Sequence, residues 1–333
     1  MKSVALFNNK GGVGKTTLLY HLAWMYASMG VRVVALDLDP QSNLTSSFLS
    51  EDRLDELWRG PAVGRTIVSA VAPLLEEGTG EVREPHLETV SRNLALVPGD
   101  LALARVEDEL SAQWANCLSG TPKAFRMTTA FHRVVRLAAD QFGAELVLLD
   151  VGPNLGALNR CALIAADYVV VPLVPDLYSL QGLRNLGPTL QKWRKGWEKR
   201  LDEAPGSLTD LPAGRMQPAG YVVVQHATRL NRPVRAYLRW AERIPHEYRA
   251  AMHLREAPPN LVSESDPECL AQLKHYRSLV PMAMEAGKPI FRLTPADGAI
   301  GAHLAAVAEC GKDFGLLALR LATATALQVP SNL

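Results

Sequence analysis

Nine residues, Asn9-Lys10-Gly11-Gly12-Val13-Gly14-Lys15-Thr16-Thr17, constrain the fold of this 333-residue chain more than any other stretch. The apolar run Val4-Ala5-Leu6-Phe7 precedes them, and Leu18-Leu19-Tyr20-His21-Leu22-Ala23 follows with apolar residues at helical spacing. Strand, glycine-rich turn and helix N-terminus in that order form a phosphate cradle, with backbone N–H groups and the positive helix end facing the anion. Lys15 supplies a point charge for the outer phosphates and Thr16 a hydroxyl for Mg²⁺. The pattern predicts binding of a nucleoside triphosphate.

Two departures from the ordinary pattern are informative. The position usually held by the first glycine is Asn9, a residue that tolerates left-handed backbone geometry. The loop also carries a second lysine, Lys10, and a spare buried cation is costly without a negative partner. One solution places Lys10 on the phosphates of a facing subunit. The other is a solvated lysine at the loop edge.

Two further strands deliver carboxylates. Val33–Leu36 ends in Asp37 and Asp39 before a break at Pro40, and Leu146–Leu149 ends in Asp150. Such groups order water or accept a proton beside a γ-phosphate, or hold Mg²⁺. Taken alone they are equally ordinary caps of the next turn.

The string Lys10–Thr17 resembles the deviant Walker A loop of the ParA/MinD family, and Asn8-Asn9 before it is more similar to the ParA branch. Asp39-Pro40-Gln41 resembles the family's second motif, and Asp150-Val151-Gly152-Pro153-Asn154-Leu155-Gly156 its Walker B segment. The likeness continues through Asn159–Leu183. At Glu285–Phe291 and the apolar segment beyond, it looks like the family's closing strand and helix. It is weakest near 50–92 and 226–278. The resemblance implies one ParA-like P-loop domain over 1–333, with insertions at those two places.

The resemblance also implies an ATPase converting ATP and water to ADP and phosphate. Lys10, Lys15 and Asp39 would be catalytic, with Lys10 crossing to the partner's nucleotide in an ATP-sandwich homodimer and Asp39 positioning water. Lys10, Gly11, Gly12, Val13, Gly14, Lys15, Thr16 and Thr17 would bind ATP, and Thr16, Asp37 and Asp150 would hold Mg²⁺. Relatives of this kind bind DNA without sequence preference and are reset by slow hydrolysis that a ParB-like protein stimulates, in DNA partition or cargo positioning. The alternatives are a MinD-like membrane-associated ATPase and an ATP-dependent carboxylate-activating ligase of the same superfamily.

Composition adds limits. With 48% hydrophobic and 21% charged residues, the chain can bury a large core. The predicted fold class is α/β, a doubly wound, mostly parallel sheet flanked by helices. Strands are expected near 3–8, 32–37, 94–97, 146–150, 168–174 and 220–224, as continuous apolar runs suited to a sheet covered on both faces. Helices are expected at 16–29, 123–141, 180–199 and 299–322. No stretch spans a bilayer, no signal peptide is expected, and the tail Phe314–Leu327 has a single cation, too few for an interfacial helix. A cytoplasmic protein without membrane attachment, nucleoid-associated if it binds DNA, is expected. Cys117, Cys161, Cys269 and Cys310 form no close pair and suit buried thiols, which argues against iron–sulfur and zinc relatives.

The net charge of +1 gives no global attraction to nucleic acid. Local patches are the candidates. Arg229, Arg232, Arg235, Arg239 and Arg243 recur at helical spacing, predicting a helix from about Pro233 with several guanidinium groups on one side, and the resemblance makes Arg229, Arg232, Arg235 and Arg239 the candidates for DNA contact. Lys192, Arg194, Lys195, Lys199 and Arg200, with Trp193 and Trp197, form a second cluster. A solvated helix face is the plainer account of both.

Overall fold

The computed structural model describes residues 1–59, 64–76, 80–226, 228–229, 232–233, 239–258 and 260–330. Its centre is an eight-stranded sheet. In chain order the strands are β1 (Lys2–Leu6), β2 (Val33–Asp37), β3 (Glu88–Ser91), β4 (Leu94–Val97), β5 (Leu146–Asp150), β6 (Tyr168–Leu173), β7 (Gln217–His226) and β10 (Cys269–Lys274). They lie in the order β10-β7-β6-β1-β5-β2-β4-β3, and every neighbouring pair is parallel except β3 with β4. Thr228–Arg229 (β8) and Arg232–Pro233 (β9) form a small antiparallel ladder outside the sheet.

Continuous apolar strands are explained by burial on both faces. Val4 and Leu6 of β1 point into one core, while Ala5 and the following Phe7 enter the other. The first core is covered by α1 (Lys15–Ser28) and the terminal helix α12 (Ala302–Thr325). The second is covered by α4 (Ile67–Glu76), α5 (Glu107–Asn116), α6 (Pro122–Thr128), α7 (Ala130–Phe142), α8 (Ala157–Ile164), α9 (Leu177–Leu201) and α10 (Ile244–His253). Further short helices are α2 (Asn43–Phe48), α3 (Glu51–Trp58) and α11 (Leu279–Glu285), and Arg239-Trp240-Ala241 are also helical. All four cysteines are buried free thiols, as the sequence predicts.

The tail anticipated as a packed helix does pack. Phe314, Leu317, Ala318, Leu321 and Ala322 of α12 are buried, and the helix lies against β7 and β10. Among the described residues no helix is long and apolar enough to cross a membrane.

Two expectations need correction. The helix expected over 123–141 is two, α6 and α7, because Thr129 adopts φ −102° and ψ 11° and its hydroxyl donates to the Phe125 carbonyl at 2.8 Å. No strand occurs at Glu285–Phe291. Gly287 turns with φ 60° after α11, a 3₁₀ turn runs over Ile290–Arg292, and the edge strand is β10, earlier in the chain. Of the basic residues around the helix expected from about Pro233, Arg229 and Arg232 pair across the β8–β9 ladder just before it, residues 234–238 with Arg235 lie outside the described residues, and Arg239-Trp240-Ala241 are helical.

Candidate nucleotide site

The carboxyl ends of β1, β2, β5 and β6 converge on one edge of the sheet, where ligands of such folds bind. Gly12 and Gly14 adopt φ 71° and 78°, the left-handed turns that bring the loop back onto α1. Asn8 fixes the loop's base: its Nδ2 donates to the Pro172 carbonyl at 2.7 Å, and its Oδ1 accepts from the Lys10 N–H at 2.9 Å. Gly182 of α9 makes this approach possible, since a Cβ there would stand 2.9 Å from Asn9 Oδ1.

Lys15 is buried, and its Nζ donates to the Asn8 carbonyl at 3.3 Å. Burial pushes the ammonium pKa down, against the opposing pull of Asp150 and Asp39. Thr16 Oγ1 donates to Asp150 Oδ2 at 2.7 Å. Burial, then the charge of Asp37, push the Asp150 carboxyl above its usual range, and its Oδ1 is buried with no hydrogen-bond partner. An acceptor left orphaned beside a hydroxyl suits a cation, so Thr16 and Asp150 fit Mg²⁺. Among the described residues no cluster of three or more His, Cys, Asp or Glu could hold a metal alone.

Asp37 is tied differently. Its Oδ2 accepts from the Thr45 N–H at 2.8 Å and the Thr45 hydroxyl at 2.7 Å, and Thr45 Oγ1 in turn accepts from the Gly99 N–H. Burial raises its pKa despite those bonds. The carboxylate therefore braces β2, α2 and the loop after β4, and its Oδ1 accepts from the Asp39 N–H at 3.3 Å. Asp39 Oδ1 accepts from the Gln41 N–H at 3.0 Å, and Asp39 lines the cavity beside the phosphate loop.

Lys10 reaches Asp176, the N-cap of α9, within its own protomer. The carboxylate also accepts from the Ser179 N–H at 2.7 Å. Burial works against ionisation, yet the bonds from Lys10 and Ser179 hold the Asp176 pKa below its usual value. Sequence reasoning missed Asp176, although Asp176-Leu177-Tyr178-Ser179 before an apolar run is a capping signal. It also missed Glu107, which accepts from the Ala157 and Leu158 N–H groups and so caps the helix following the Asp150 loop.

A cavity of about 540 Å³ runs from Gly11–Thr17 past Tyr20 and His21 to Val280, Ala283, Met284 and Ile290. The phosphate loop, Gln41, Asn43, Ser46, Ser47 and Lys288 give it polar lining, and Val280, Ala283, Met284 and Ile290 give it an apolar wall, the mixture a nucleotide requires.

The arginine candidates are not gathered here. Arg239 is exposed with its guanidinium 5.1 Å from the Trp240 ring centroid, and Arg243 pairs with Glu247 at 3.4 Å. In the second cluster Trp193 and Trp197 are buried. Arg194 donates to the Arg215 and Met216 carbonyls, and Arg200 to those of Trp114 and Gly196. Only Lys192, Lys195 and Lys199 of that cluster are exposed.

The family described as "AAA domain" matches residues 1–203. The chromosome-partitioning ATPase Soj of Thermus thermophilus is 35% identical over 227 residues, 68% of this chain and 75% of that protein. The chromosome partitioning protein ParA of Caulobacter vibrioides is 30% identical over 202 residues, 61% of this chain and 67% of its own. Protein DIP2308 of Corynebacterium diphtheriae shares the fold with a TM-score of 0.73 at 22% identity, covering 97% of this chain and 98% of that one. Apo McdA of Cyanothece does so with a TM-score of 0.61 at 16% identity, covering 95% and 99%. The chain belongs to the ParA/MinD family of P-loop ATPases and stands close to its ParA branch.

Proposed function

We propose that this chain is a partition-type ATP switch. In this scheme Lys15 and the Gly11–Thr17 backbone hold the triphosphate, and Thr16 and Asp150 hold Mg²⁺, which neutralises phosphate charge. Asp37 supports the metal side by keeping Asp39 in place. Asp39 orients the attacking water for slow hydrolysis to ADP and phosphate. The observation that carries the proposal is the convergence of Lys15, the Thr16–Asp150 pair and Asp39 around one cavity.

Two protomers pair face to face, and Lys10 leaves Asp176 for the partner's nucleotide. The Lys10 and Asp176 side chains are 28% and 35% exposed, and so accessible a pair is worth about 0–1 kcal/mol. A partner's triphosphate offers more charge, so the exchange is driven by ATP and reversed when the γ-phosphate leaves. The dimer then binds DNA through phosphate contacts, with Arg229, Arg232, Arg235 and Arg239 as candidates, and a ParB-like protein stimulates its reset. The extra segments 50–92 and 226–278, which carry α3, α4, β3, α10 and β10, are insertions within one domain. The protein works in the cytoplasm, on the nucleoid.

Co-sedimentation with DNA in ATP against ADP, across a salt series and with Lys15→Ala as control, tests the scheme. ATP-dependent, salt-sensitive binding that Lys15→Ala abolishes is expected. Binding indifferent to the nucleotide would sink the DNA switch.

A further inference from the structure

His21 sits on α1, one turn beyond Thr17, between the two walls of the cavity. It is 4% exposed. Its Nδ1 lies 2.8 Å from the Thr17 carbonyl oxygen, and the Ile290 N–H donates to Nε2 at 3.1 Å. A carbonyl only accepts and an amide N–H only donates, so the ring is neutral with its proton on Nδ1. The ring stacks on Phe314 of α12, with centroids 4.8 Å apart and planes 24° from parallel. One edge therefore belongs to the helix that carries the phosphate loop. The other belongs to the turn that follows α11, whose Val280, Ala283 and Met284 belong to the apolar wall of the cavity.

We propose that His21 is a positioning residue for the base end of the nucleotide. It sets the spacing between the loop that holds phosphates and the apolar wall that holds the base, and so controls how much the base adds to affinity. The inference rests on the nucleotide assignment of the cavity. A rigid ring with donor and acceptor on opposite sides suits the task better than a flexible chain, because little rotamer freedom remains to be lost. Without the acceptor, the buried Ile290 N–H is unpaired and the turn must shift to find another partner.

The test uses two ligands: Mg-ATP, which fills both ends of the cavity, and Mg-tripolyphosphate, which fills only the phosphate end. Titration calorimetry of the wild type should show clear preference for ATP. His21→Leu should weaken ATP by about tenfold and leave tripolyphosphate unchanged. His21→Gln, which carries a donor and an acceptor on adjacent atoms, should keep the preference. Equal weakening of both ligands in His21→Leu means general support of the fold and overturns the inference; so does no weakening of either. Should His21→Leu fail to fold, amide exchange of the wild type decides: Ile290 must gain protection with ATP and not with tripolyphosphate, and equal protection overturns the role. A wild type that binds tripolyphosphate as tightly as ATP would instead bring down the base-end assignment itself, a result separable from any failure of the variant.

Discussion

Lys10 is held within its own protomer, whereas a switch needs it in another, and that conflict gives the sharpest single-residue tests. Lys10→Ala should bind ATP as a monomer with affinity within about threefold of wild type, since the lost pair is exposed, yet should fail to dimerise in light scattering. Normal ATP-induced dimerisation of that variant removes the crossing role. Asp39→Ala should bind ATP and accumulate as a dimer, with turnover lowered by about 10²-fold or more, the usual worth of a group that assists proton transfer; unchanged turnover in a phosphate-release assay removes Asp39 from the chemistry. His21 makes a separate prediction. Burial lowers its pKa to about 4 from 6.5. The folded state then binds fewer protons than the unfolded state between those values, so its contribution is complete above pH 6.5 and is lost as pH falls toward 4. The amount is on the order of 3 kcal/mol, and thermal melts should show a shallower acid decline in His21→Gln. At this scale the sequence is legible where function is local. Lys15, Thr16, Asp39 and Asp150 each end or follow an apolar strand and could be named from neighbours. Asp176 and Lys10 are 166 positions apart, and His21 meets Ile290 across 269, separations at which no local pattern survives.

Elements were readable in proportion to their burial. β4 and β5 have the bounds expected of them, because Leu94–Val97 and Leu146–Asp150 are fully buried runs closed by polar or turn residues. β3, Glu88-Thr89-Val90-Ser91, is a half-exposed antiparallel edge with little apolar signal, and β10 carries Gln272 and Lys274 within its six residues. Both escaped notice for that reason. The α9–α10 contact was equally invisible, since it depends on an absent side chain: a Cβ on Gly187 would stand 2.1 Å from the Ala251 carbonyl oxygen. Gly187→Ala should therefore cost about 1–3 kcal/mol through overpacking, partly offset by roughly 1 kcal/mol of helix propensity. The expected result is a lower melting temperature with unchanged ATP affinity, because the phosphate loop contacts the other end of α9 through Asp176 and Gly182. A fall in ATP affinity as large as the fall in stability would show that α10 and the site are one cooperative unit.

For the whole molecule, a net charge of +1 means that the DNA binding proposed above would have to come from local contacts multiplied by assembly. Each phosphate contact contributes about −0.9 to the slope of log affinity against log salt. A face-to-face dimer presents every contact twice, so the slope in ATP should be about double the slope in ADP, whatever the number per protomer. Arg239 is the candidate whose exposed side chain is described, resting on Trp240 beyond the β8–β9 ladder. Arg239→Ala removes one contact per protomer and should reduce the ATP-state slope by about 1.8 units, against about 0.9 in ADP. Base composition of the DNA should leave both numbers unchanged, since phosphate contacts carry no sequence. Equal slopes with the two nucleotides would mean that assembly adds no phosphate contacts, and DNA could then not be what the nucleotide controls.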